Sequence, residues 1–198
     1  METLPFGCYI DPITDFGFKR LFGSPPNKDL LIDFLNAIFE GRKQIKDLTY
    51  NKNELPGVVR DNRSVIFDLL CTTDSGEQFI IEVQKVAQQH FGDRAVFYTS
   101  SLICDQAVKG GPGWDYQLNE VWLIGIMDFC FDDTEEDRYL HDIQLTNTET
   151  HKLFYKKLGY IFIELPKFNK KESELKLLWT DGCLCLGTCT NLKKFRYF

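Results

Sequence analysis

Two carboxylates stand in places where carboxylates are costly. Asp68 sits inside the apolar run Val65-Ile66-Phe67-Asp68-Leu69-Leu70, and Glu82 sits inside Phe79-Ile80-Ile81-Glu82-Val83-Gln84. Strand side chains alternate with a period of two, so Glu82 and Gln84 share a face. Thr72-Thr73-Asp74-Ser75-Gly76-Glu77 between the runs has the composition of a hairpin loop. If Thr73 faces Glu77 across Asp74–Gly76, then Asp68 lies opposite Glu82 and Ile66 opposite Gln84. Directly opposed Cβ atoms are about 4.5–5.5 Å apart. A loop one residue shorter shifts the pairing and spoils this. Opposed like charges in a half-buried sheet cost up to about 1 kcal/mol at the surface, and more when desolvated. A divalent cation with hard oxygen ligands offsets that cost, and so does a shared proton. The plainer alternative makes each acid a solvent-facing residue of a one-sided sheet.

The remaining elements must hold this hairpin in place. Thr14 or Asp15 caps a short helix through Phe16–Phe22, which Gly23-Ser24-Pro25-Pro26 breaks. Asn27 then caps a second helix, whose Leu30, Leu31, Phe34, Leu35 and Ile38 form one face, with Gly41 as the stop. Lys46–Tyr50 reads as a short strand, followed by a polar stretch to Arg63 with Pro56-Gly57 as a turn. Val65–Cys71 and Gln78–Val83 are strands, and residues 89–107 form a long helix ended by Gly110-Gly111-Pro112-Gly113. Glu120–Phe129 suits a strand covered on both faces. Tyr139–Thr146 and Tyr160–Leu165 are further strands, and Glu172–Trp179 is helical. The order ααβββαβββα is a mixed α/β layout.

Two helical pairs add chemistry. Arg94 and Tyr98 are four apart and share a helix face, as do Asp15 and Lys19. Arg94 is either a phosphate contact or a surface arginine packed on the Tyr98 ring. Asp15 and Lys19 make an ordinary helix ion pair on spacing alone.

Several classes are excluded. The chain has 198 residues, enough for one domain with a small appendage, and no apolar run approaches the roughly 20 residues that span a bilayer. The N-terminus has no basic segment followed by an apolar one, which leads us to expect a cytoplasmic protein. Seven cysteines, an odd number, then point to free thiols. A net charge of −6 argues against coating nucleic acid by bulk charge, but is compatible with carboxylates held for a cation. The three thiols Cys183, Cys185 and Cys189 fall short of a four-ligand zinc site. His90, His141 and His151 have no nucleophile at suggestive spacing. Lys167, Lys170 and Lys171 could touch a DNA backbone, but read first as a solvated face. A sugar hydrolase could use a carboxylate pair, but nothing else supports a sugar site.

Asp68 followed by Glu82-Val83-Gln84 resembles the core of PD-(D/E)XK nucleases in a Glu-X-Gln variant. Ile10-Asp11-Pro12-Ile13-Thr14-Asp15-Phe16-Gly17-Phe18-Lys19-Arg20-Leu21-Phe22-Gly23 resembles the N-terminal signature of the recombination-promoting nuclease/transposase family within them. Phe67-Asp68 with Thr73-Asp74-Ser75-Gly76, Arg94-Ala95-Val96-Phe97-Tyr98 and Ile163-Glu164-Leu165-Pro166-Lys167-Phe168 fit in the same order. The resemblance implies a restriction-endonuclease-like core, a central mixed sheet of about four strands flanked by helices. It implies Mg²⁺-dependent hydrolysis of DNA phosphodiesters, with Mn²⁺ as a substitute. Asp68 and Glu82 would then bind the metal, with the Val83 backbone carbonyl beside them and Asp15 serving a second ion. Gln84 stands where most of the superfamily has Lys. It can orient a water but cannot supply charge, which Arg94 or a second ion would have to provide. Arg94, Tyr98 and Lys19 are the candidate phosphate and DNA contacts, and a homodimer would suit cutting both strands. The nuclease-like domain is expected to span residues 1–179. The Cys-rich tail 180–198 departs from the pattern, and a frameshift in the gene is the expected reason.

Overall fold

The computed structural model describes residues 11–55, 64–110, 113–130 and 138–168. The expected helix at 172–179, Lys170, Lys171 and the tail with its three cysteines lie outside the described residues.

Thr14 has extended backbone angles and its hydroxyl accepts from Gly17 N at 3.0 Å, which starts α1 (Asp15–Phe22). Phe18 and Phe22, one turn apart, are fully buried. A single 3₁₀ turn (Pro25–Asn27) leads into α2 (Lys28–Ile38), whose Leu31, Phe34, Leu35 and Ile38 join the same core. Asn27 differs from expectation: its side chain makes no N-cap bond. Its amide instead donates to the carbonyls of Leu21 and Arg20 at 2.9 and 3.3 Å. The Pro25-Pro26 turn folds it back under the end of α1, where orphan carbonyls need donors.

The strands are β1 (Leu48–Tyr50), β2 (Glu54–Leu55), β3 (Val65–Ile66), β4 (Leu69–Thr73), β5 (Gln78–Gln84), β6 (Val121–Met127), β7 (Leu140–Thr146) and β8 (Leu153–Glu164). Helix α3 (Phe91–Gly110) connects β5 to β6. The main sheet runs β1-β4-β5-β6-β8-β7. β5, β6 and β8 are parallel neighbours, while β1, β4 and β7 pair antiparallel. The sheet therefore has six strands rather than about four, because β1 and β7 add antiparallel edges to the mixed core of β4, β5, β6 and β8.

Alternation along the central strands sorts side chains into two cores. Phe79, Ile81, Val83, Trp122, Ile124 and Ile126 pack with α1 and α2. Ile80, Val121, Leu123 and Met127 pack with Phe91, Ala95 and Leu102 of α3. β6 is buried along its whole length, as its continuous apolar run requires. No helix among the described residues is long and apolar enough to cross a membrane.

The hairpin has the expected register. Leu69 faces Ile81, Leu70 faces Ile80, and Thr73 N donates to Glu77 O at 2.9 Å. Gly76 closes the loop at φ +86, a region glycine enters without steric cost. The run Val65–Cys71 is not one strand, however. Val65 and Ile66 leave the main sheet and pair with β2, Ile66 facing Glu54, so the expected Ile66–Gln84 pair does not form. The break falls at Phe67-Asp68, and Asn53 holds it there. Asn53 O accepts from Phe67 N at 2.7 Å, and Asn53 Nδ2 donates to Asp68 O at 2.9 Å.

A second correction concerns Lys167. Its side chain is buried, with Nζ 2.6 Å from Glu164 Oε2, and His141 Nε2 lies 3.5 Å from the same oxygen. A fully buried carboxylate at the end of β8 needs such partners, so this lysine belongs to the interior and not to a solvated face.

Candidate active site

The site forms where the strand break opens the edge of β5 between the first turns of α1 and α3. Asp68 lies next to Glu82, as the register requires. Asp68 N donates to Glu82 Oε1 at 3.1 Å, and Asp68 Oδ2 accepts from Val83 N at 2.8 Å. Glu82 is only 3% exposed, and burial together with the Asp68 charge pushes its carboxyl up to about 7. Asp68 is half-buried, and desolvation raises its carboxyl against the lowering effect of the Val83 N–H. Neither acid is the solvent-facing residue of the plain alternative.

Gln84 is buried beside them, on the face that strand alternation gives it, with Nε2 3.4 Å from Glu82 Oε2. Val83 turns its side chain into the opposite core. Its N–H points toward Asp68, whereas the Gln84 carbonyl accepts from Asp128 N on the β6 side. The N–H and C=O of one strand residue leave by the same edge, so the Val83 carbonyl also faces the Asp68 side.

From α3, Arg94 Nη2 reaches Glu82 Oε2 at 3.3 Å. Its guanidinium lies over the rings of Phe91 and Tyr98, at 5.8 and 5.5 Å from their centroids, and also bonds Gln88 Oε1. Arg94 thus packs on Tyr98, as its spacing allowed, and also faces a carboxylate. Tyr98 packs edge-on against Phe67 at 5.3 Å, and burial, with help from the Glu82 charge, raises its hydroxyl pKa.

From α1, Lys19 Nζ pairs with Asp15 Oδ1 at 2.5 Å. Both reach the site electrostatically: the Asp15 carboxylate raises the Asp68 pKa and the Lys19 ammonium lowers that of Glu82. The candidate positions therefore gather around the point where the chain before β4 breaks away from β5. They do not make a finished cage. Among the described residues, no three His, Cys, Asp or Glu side chains are gathered to hold a metal. The donor set that fits a hard cation is two adjacent carboxylates and one carbonyl, with water completing the shell, as Mg²⁺ tolerates. The raised carboxyl of Glu82 supports that fit, because a nearby cation removes the penalty for ionising it.

Asn53 is the positioning residue that sequence reasoning missed. It lies in a polar stretch without periodicity, fifteen residues before the group it holds, so no local signal marks it.

The sequence profile described as PD-(D/E)XK nuclease family transposase matches residues 12–192. No curated protein and no solved structure matches the chain.

Proposed function

The chain belongs to the PD-(D/E)XK nuclease family transposases, and from that premise we propose that it is a Mg²⁺-dependent endonuclease that hydrolyses DNA phosphodiester bonds during transposition or recombination. The observation that carries this reading is the desolvated pair Asp68 and Glu82, held 3.1 Å apart through backbone and carboxylate, with a guanidinium beside it. Asp68, Glu82 and the Val83 carbonyl hold Mg²⁺, or Mn²⁺ in its place, and Asp15 serves a second ion. When bound, the ion polarises the scissile phosphate and lowers the pKa of a water.

The other groups act directly. The Gln84 amide orients the attacking water without adding charge. Arg94 supplies the positive charge that Gln84 lacks, donating to a phosphate oxygen as negative charge builds in the transition state. Lys19 and Tyr98 flank the path of the backbone. A homodimer in the cytoplasm would set two such sites on opposite strands of one duplex.

The test is nicking of supercoiled plasmid with and without Mg²⁺, using the wild type and Asp68→Asn. Mg²⁺-dependent nicking by the wild type alone supports the reading. Gln84 favours a second one, a catalytically silent DNA-binding or protein-interaction module that keeps the sheet. That module would show no stabilisation by Mg²⁺ at millimolar ion and leave plasmid intact.

A further inference from the structure

We propose that the groove beside Asp68 receives a single unpaired nucleotide of the DNA strand, so that the protein prefers DNA with a base out of the stack. This rests on the nuclease reading above and adds the form of the substrate. The groove has a volume of about 540 Å³ and is lined by Lys19, Tyr50, Lys52, Asn53, Ile66 and Leu69, among others. That size is in the range of about 300–1,000 Å³ that holds small molecules.

Its inner wall is shared with the carboxylate site. Asn53 grips the Asp68 carbonyl, and Lys19 pairs with Asp15. A phosphate at the carboxylates therefore has its neighbouring nucleotide at the mouth of this groove.

The chemistry of the lining suits a nucleotide. Ile66 is 63% exposed and Leu69 is buried, which gives an apolar wall and floor for a base or sugar. Lys52 is exposed and, among the described residues, has no hydrogen bond or ion pair, so its ammonium is open to a phosphate. The end of α1 would repel an anion through its free carbonyls, but those carbonyls are taken. Tyr50 Oη donates to Phe22 O at 2.7 Å and Asn27 Nδ2 to Leu21 O at 2.9 Å. Glu54 also lines the groove, and there it can accept from the amino group of a base. A paired base is stacked in the duplex and cannot enter, so only an unpaired or extruded one can.

The test is fluorescence anisotropy of the protein with its carboxylates intact, in Ca²⁺, which takes the same oxygen ligands as Mg²⁺, with the DNA checked on a gel to be uncut. Three labelled DNAs of one sequence are compared: a blunt duplex, the single strand, and a duplex with a one-nucleotide bulge. The bulged and single-stranded forms should bind about tenfold tighter than the duplex, the effect of seating one base. Adding Lys52→Gln or Ile66→Ser should remove that difference while duplex binding changes by less than about threefold, since neither change touches the carboxylates. Equal binding of all three DNAs, or a preference that survives both substitutions, overturns the groove and leaves the nuclease reading standing. Binding of no DNA overturns both.

Discussion

Asp68 and Glu82 are each held by the other's strand: the Asp68 N–H donates to the Glu82 carboxylate at 3.1 Å, and the Asp68 carboxylate accepts from the N–H of Val83, next to Glu82, at 2.8 Å. Side-chain oxygens here do what backbone carbonyls do elsewhere in the ladder. The two acids are thereby oriented in advance, and each keeps lone pairs for a further partner.

The first consequence concerns pH. Glu82 ionises at about 7 in the folded protein, above its ordinary 4.5. Between those values the folded state binds more protons than the unfolded one, so stability falls as pH rises. Without divalent ion, the protein should be more stable near pH 4.5 than near pH 7.5 as far as Glu82 is concerned, on the order of 3 kcal/mol at most. Chemical denaturation across that window should show the slope in the wild type and a flatter profile in Glu82→Gln. Identical slopes would remove Glu82 as the cause.

In the proposed mechanism Arg94 and Gln84 divide a task that one lysine could perform. Arg94→Ala should lower the nicking rate by about 10²–10³, the scale for losing one charge-stabilising donor. Gln84→Lys in the same protein should restore part of it, because position 84 already lies 3.4 Å from Glu82 Oε2. Single-turnover rates for the two single variants and the double variant measure the coupling. Additive losses would mean that the two side chains serve separate purposes.

Asn53 holds the Asp68 carbonyl at 2.9 Å. Asn53→Ala frees the Asp68 carbonyl and should cost about 1 kcal/mol of stability. It should also weaken the apparent affinity for Mg²⁺ in nicking, shifting the half-saturating concentration upward at unchanged limiting rate. A variant that loses stability but keeps its Mg²⁺ midpoint would show that Asn53 serves the fold alone.

Gly159 tests the packing of the central strands. A Cβ there would lie 2.2 Å from Trp122 Cζ3, and the indole is fixed by its N–H to Glu120 Oε2 at 3.0 Å. Gly159→Ala should destabilise by about 1–3 kcal/mol through overpacking. A thermal melt unchanged from wild type would contradict the close approach of β6 and β8.

The carboxylate pair was legible because local signals define it. A three-residue loop with glycine at its last position sets the register, and register alone brings Asp68 to Glu82. The helix spacings of Arg94 with Tyr98 and Asp15 with Lys19 were equally local. What escaped depends on partners distant in sequence. Phe67-Asp68 reads as uninterrupted strand, and the break exists because Asn53 takes hydrogen bonds that a neighbouring strand would otherwise make. Lys167 reads as a surface residue until Glu164 and His141 are seen beside it. The strand β2 is two residues long, too short to show a period.

Isothermal titration of Mn²⁺ into the wild type, Asp68→Asn and Glu82→Gln tests the central claim most directly. The wild type should bind with a release of protons near pH 7, as Glu82 gives up its own, and both variants should lose binding while melting no lower than the wild type. Equal Mn²⁺ binding by all three proteins would contradict the claim that these two carboxylates hold the ion.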